Sequence, residues 1–124
     1  VLLRIGRGHI STGGPMRALL LTATGRRSGH PRTVPLFYVP AGPGWAVVDT
    51  NYGRSPRPAW SLNLGADRLC TVRVGGHDHP CTARVAEGDE RERLWTDLLE
   101  IWPVYGEYAA GIDRAPHVWV VEPV

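Results

Sequence analysis

The sequence predicts a mainly β protein with some helix, in which six strands close, fully or in part, into a small barrel carrying two or three helices. Three observations predict it. Six short segments are apolar and rich in β-branched or aromatic residues, and turn formers bound them. The connections between the first three are too short for crossover helices, which favours an antiparallel meander over βαβ units. One stretch, Asp89 to Trp102, has clear helical periodicity. At 124 residues the chain has room for one domain, residues 1–124, of which 1–16 form an N-terminal arm.

Arg17 to Thr24 (RALLLTAT) reads as a buried strand, a short apolar run ending in Thr and closed by Gly25. Residues 25–31 (GRRSGHP) follow as a turn with Gly and Pro at its margins. Thr33 to Val39 (TVPLFYV) is the second strand, and Pro35, having no N–H to donate, confines that point to an edge or bulge. Pro40 to Gly44 turns the chain into a third strand, Trp45 to Thr50. Asn51 to Pro58 (NYGRSPRP) reads as an irregular loop, and Pro58 at a first helical position starts a short helix through Leu64. Leu69 to Val74 and Cys81 to Val85 form a hairpin about Gly75-Gly76, and a two-residue turn sets Val74 opposite His77 and Cys70 opposite Cys81. Between Asp89 and Trp102, the residues Leu94, Trp95, Leu98, Leu99 and Trp102 mark an apolar stripe, behind a first turn rich in acids that complement the helix dipole. Pro103 ends or kinks that helix, a shorter helical piece runs through Ala110, and His117 to Glu122 (HVWVVE) is the last strand.

Apolar residues make up 43% and charged ones 21%, globular values that exclude disorder and collagen-like repetition. No apolar run reaches the roughly 18 residues that a membrane span needs. Val1 to Ile5 is too short for a signal-peptide core, and the chain opens on Val rather than Met. All 14 basic residues are Arg. Eight of them and a single acid, Asp49, fall in residues 1–60, a balance of +7, whereas residues 61–124 hold six Arg and eleven acids, a balance of −5. The first half therefore projects a positive field, which favours an anionic ligand, nucleic acid or an anionic membrane surface. Two cysteines, Cys70 and Cys81, are too few for a disulfide framework or a zinc site, so a reducing, cytoplasmic setting is expected.

Three places could carry chemistry. In Gly25-Arg26-Arg27-Ser28-Gly29, with Arg32 beyond, a glycine-bounded turn can aim backbone N–H groups at an anion while Arg forks and the Ser28 hydroxyl add bonds. A solvated hairpin tip explains the same residues. The loop and helix from Thr50 to Leu64 offer Arg54 and Arg57, without acidic neighbours in sequence, beside Trp60. Its plainer reading is a surface excursion with Trp60 plugging a barrel end. Trp102, Tyr105 and Tyr108 are spaced by three, so continued helical turns would set the rings on one face, either as core or as a pocket with two hydroxyls. His77 and His79 lack a third metal ligand, and no metal is expected. There is no GxxxxGK[ST], GxGxxG, GxSxG, HExxH or CxxC.

Taken in order, LLLTATGRRSGHPRTVPLFYV, TNYGRSPRPAWSLNL and LWTDLLEIWPVYGEYAAGIDRAPHVWVVEPV resemble the deazaflavin-dependent nitroreductase family, which uses coenzyme F420, over about Leu19 to Pro123. The resemblance implies a split β-barrel of the pyridoxamine-phosphate-oxidase type. It further implies that Arg26, Arg27, Ser28 and Arg32 grip the coenzyme's phosphate and lactyl-oligoglutamate tail. Pro35 and the loop Thr50-Asn51-Tyr52-Gly53 would border the deazaflavin ring, with Ala59 and Trp60 closing over it. Family members often carry Lys and Gly where Asn51 and Tyr52 stand here, and Arg57 or Arg54 would replace the missing tail contact. They line the acceptor side with tyrosines at the positions of Trp102, Tyr105 and Tyr108. The implied reaction is hydride transfer from the reduced coenzyme to an electron-poor acceptor such as a quinone, nitroaromatic or enone, with Tyr105 or Tyr108 supplying a proton or polarising the acceptor oxygen.

Two other readings compete. A flavin enzyme of the same barrel type would seat the FMN phosphate at the same Arg turn. A non-catalytic protein would bind the deazaflavin without turnover. Nucleic-acid binding is disfavoured, because most aromatics lie in apolar runs rather than beside exposed Arg. The basic, apolar VLLRIGRGHI is compatible with peripheral membrane contact, and barrels of this kind often pair as homodimers.

Overall fold

The computed structural model describes residues 17–124, so the expected N-terminal arm and its membrane contact lie outside the described residues. Six strands, β1 (Arg17–Thr24), β2 (Pro31–Ala41), β3 (Gly44–Val48), β4 (Leu69–Val74), β5 (His77–Val85) and β6 (Val118–Pro123), close into a barrel of order β1-β2-β3-β6-β5-β4. Every pairing is antiparallel. Three helices decorate it: α1 (Ala59–Ala66), α2 (Gly88–Ile101) and α3 (Val104–Ala110).

Alternation of side chains across each strand builds two apolar layers. Leu19, Leu21 and Ala23 of β1 point into the barrel with Val47, Val72, Ala83, Trp119 and Val121, and Leu64 of α1 joins them. On the outside, Val48, Val118 and Val120 meet Leu94, Leu98 and Ile101 of α2 and Tyr105 of α3. β6 is therefore buried on both faces, which is why VWVV runs apolar without a break. Each fully buried Leu or Val of α2 and β6 stabilises the fold by about 1.5–3 kcal/mol.

The expected fold class holds, and several boundaries move. β1 was expected as a buried strand, but only alternate residues are covered, and Leu20 on its outer face is 41% exposed. β2 begins at Pro31 and continues through Pro35 and Pro40. Pro35 is tolerated because, among the described residues, 31–38 pair with β1 and not with β3, which takes Val39, Pro40 and Ala41. β3 stops at Val48, and the loop beyond it contains a 3-10 turn, Asn51–Gly53. Pro58 caps α1 from one residue outside it rather than occupying its first position. The hairpin keeps the expected register, Val74 opposite His77 and Cys70 opposite Cys81, with both thiols free.

Candidate functional site

The part of β2 that β3 does not pair forms a wall of an apolar slot of about 670 Å³. Pro35 and Phe37 line it from β2, Thr50, Asn51 and Tyr52 from the loop after β3, and Trp60 from α1. Trp102, Tyr105 and Tyr108 close the far side. Phe37 and Trp102 pack with ring centroids 6.1 Å apart. Pro103 breaks the helical path between α2 and α3, yet its αR backbone keeps the turn going, so the three spaced rings do share one pocket wall. Burial, and after it the neighbouring Tyr52 and Tyr108, pushes the Tyr105 hydroxyl well above its ordinary value. It stays protonated throughout the neutral range. Gly53 does not line the slot; it lies beneath Tyr108, where a Cβ would come within 3.4 Å of that ring.

A second cavity, about 560 Å³, is lined by Arg26, Arg27, Ser28, Arg32, Ala59 and Asn63, and shares Val34 and Trp60 with the slot. The turn is tight: Gly29 N–H donates to the Gly25 carbonyl at 2.8 Å, and a side chain on Gly25 would meet Ser28 Oγ at 2.8 Å. Ser28 Oγ accepts from His30 N–H at 3.1 Å, which leaves its own proton available. Buried Asn63 fixes the turn to α1, its Oδ1 accepting from Arg26 N–H at 3.0 Å and from Arg26 Nη1 at 3.2 Å. Arg26, Arg27 and Arg32 have no carboxylate partner among the described residues. Three exposed cations without counter-ions, beside a hydroxyl, make an anion cup. Ala59 was expected over the ring site; it lies in this cup instead.

Arg57 requires a correction. It was expected to be available to an anionic ligand, but its Nη1 donates to Asp49 Oδ2 at 2.8 Å, and it lines neither cavity. Asp49 is fully buried and saturated: its carboxylate also accepts from Ser61 Oγ at 2.6 Å, Arg114 Nη1 at 3.1 Å and His117 N–H at 2.7 Å. Arg114 reaches on to the carbonyls of Asp49, Arg54 and Ser55, clamping the loop that walls the slot. Ser61 Oγ in turn accepts from Trp119 Nε1 at 2.9 Å. The sequence reading missed this centre, although Asp49 as the lone acid of residues 1–60 was a visible signal for it. Among the described residues no three His, Cys, Asp or Glu side chains gather to hold a metal ion.

A six-stranded barrel whose apolar slot adjoins an arginine cup suits a planar ring with an anionic tail, the kind of ligand that an oxidoreductase of the flavin and deazaflavin type holds. The family model for F420H(2)-dependent quinone reductase matches residues 4–123, and the chain belongs to that family. It is an oxidoreductase with coenzyme F420 as hydride donor. A solved F420-H2 dependent reductase, FDR-A, is 37% identical, with a TM-score of 0.78 over 86% of this chain and 94% of that one. Rv3178 of Mycobacterium tuberculosis, named for the same reductase family, is 28% identical over 98% of this chain and 99% of its own length. The F420H(2)-dependent quinone reductase Rv1261c of the same organism is 32% identical over 95 residues, and the match spans 63% of that protein.

Proposed function

We propose that the slot and the cup together hold reduced coenzyme F420 beside a quinone-class acceptor. The observation that carries this reading is their adjacency, with Val34 and Trp60 lining both, which sets an apolar site beside a cationic one. The residues present fit the group. Arg26, Arg27, Arg32 and Ser28 supply donors without a carboxylate partner for an acidic tail, with Ala59 beside them, while Pro35, Trp60 and the backbone of Thr50, Asn51 and Tyr52 border its ring. When bound, the reduced coenzyme supplies a hydride.

The chain's own residues position, exclude water and manage a proton. Asn63 presets Arg26 by two bonds, so the cup is ordered before a ligand arrives. Gly53 admits Tyr108 close to the loop, and the Asp49–Arg114 clamp holds that loop still. Tyr105, kept protonated by burial, donates a hydrogen bond to the acceptor oxygen, and Tyr108 at the wetter edge passes the proton that completes reduction. Trp102 narrows the slot and favours thin, planar acceptors.

Fluorescence titration with coenzyme F420 and, separately, FMN tests the reading. Tight deazaflavin binding with weak FMN binding is expected; tight FMN binding alone would overturn it. Tyr105→Phe with Tyr108→Phe should lower quinone turnover by about 10²-fold or more, and unchanged turnover would remove both from the mechanism. Homodimer formation and membrane contact through residues 1–16 belong to the same proposal, to be checked by size-exclusion with light scattering and by co-sedimentation with anionic vesicles.

A further inference from the structure

Three consecutive residues at the mouth of the slot have a left-handed backbone: Asn51 (φ 50°), Tyr52 (φ 57°) and Gly53 (φ 83°). Glycine takes this conformation freely, and asparagine is among the few other residues that take it readily. Asn51 is also fastened by its own amide, which donates to the Pro56 carbonyl at 2.8 Å. Neither reason applies to Tyr52. Its side chain is 78% exposed and makes no hydrogen bond among the described residues, so neither core packing nor polar bonding accounts for a ring at this point. The strain is held in place by its surroundings, through the bonds from Gly53 N–H to the Thr50 carbonyl and from Arg54 N–H to the Asn51 carbonyl, both 3.0 Å.

What the ring does contact is Tyr108. The two stand edge to face with centroids 6.1 Å apart and planes at 69°, and both line the slot with Trp102 and Tyr105. A strained residue whose side chain adds nothing to the core, kept at the rim of a cavity, is a mark of binding function. Resting on the quinone reductase reading above, we infer that Tyr52 is an acceptor-binding residue. Its phenol carries the aromatic wall of Tyr108 out over the slot mouth and selects flat, electron-poor aromatic rings of the naphthoquinone kind over small aliphatic enones. An electron-rich ring face or edge meeting an electron-poor acceptor gives offset contacts that a saturated molecule cannot match.

The test is a titration of the cofactor-free protein with menadione, a small naphthoquinone, read by quenching of tryptophan fluorescence, since Trp60 and Trp102 line the slot. Tyr52→Gly suits the left-handed backbone, so the fold is retained and its thermal midpoint stays level or rises. This variant should bind menadione about three- to tenfold more weakly, and Tyr52→Phe within about twofold of the unaltered chain. Coenzyme F420, whose ring Tyr52 borders, should lose less affinity than menadione does in Tyr52→Gly. Equal menadione affinity in Tyr52→Gly overturns the inference, as does a larger loss for the coenzyme than for menadione, or no menadione uptake by the unaltered chain. If the unaltered chain fails to bind the coenzyme while the Tyr52→Gly contrast for menadione persists, the hydride-transfer reading falls and the role of Tyr52 stands.

Discussion

Arg57 and Arg114 converge on the carboxylate of Asp49, whereas Arg26, Arg27 and Arg32 share a cavity with no carboxylate at all. The two groups differ in what balances them. Around Asp49 two guanidinium groups, a hydroxyl and a backbone N–H satisfy one buried anion, and the product of that balance is a fixed loop. In the cup the cations are left solvated, so their field remains available to a ligand. Equal residue types thus serve construction in one place and, on the proposed function, recognition in the other, and the presence of a counter-ion separates the two.

The largest test of that contrast is Asp49→Ala. It strips the partner from two half-buried guanidinium groups and should cost about 3–5 kcal/mol of stability, read by urea unfolding. Arg27→Ala and Arg32→Ala should do the reverse. Each should weaken coenzyme F420 by about tenfold or more, with unfolding free energy unchanged within about 0.5 kcal/mol, and the affinity of the unaltered chain should fall as salt is raised. A large stability loss in either variant would make the cup structural. Ser61→Ala leaves Asp49 and the buried Trp119 indole each short of one bond, for about 1–3 kcal/mol in the same unfolding assay. The smallest effect concerns His117, whose imidazole is held below its ordinary 6.5 first by burial and then by Arg57. The unfolded chain then binds the proton first, so stability is lost as pH falls below about 6.5 and the loss levels off under the folded value. Urea midpoints at pH 7.5 and 5.5 should show this slope, and His117→Asn should flatten it.

The barrel was legible because strand alternation and short turns are local signals. Residues 25–29 were legible for the same reason: a glycine-bounded, arginine-rich turn announces itself within five positions. The Asp49 centre was not. Its partners lie 8, 12, 65 and 68 positions away, so the cluster exists only once β3, α1 and the approach to β6 have come together. Arg57 was misread on that account, since its counter-ion is not adjacent in sequence. The exposed outer face of β1 was hidden by composition: three successive leucines read as burial on both sides, although a strand with one solvated face can carry them.

β2 serves two masters along its length. Among the described residues it pairs with β1 from Pro31 to Tyr38 and with β3 from Val39 to Ala41, and at no position with both. In deuterated solvent the backbone amides of this strand should therefore separate into two kinetic populations. Those aimed at β1 should exchange slowly, at the pace of the barrel's global opening. Their alternate neighbours, aimed at the slot, should exchange within the dead time until a ligand covers them, so a single strand can report barrel stability and site occupancy at once.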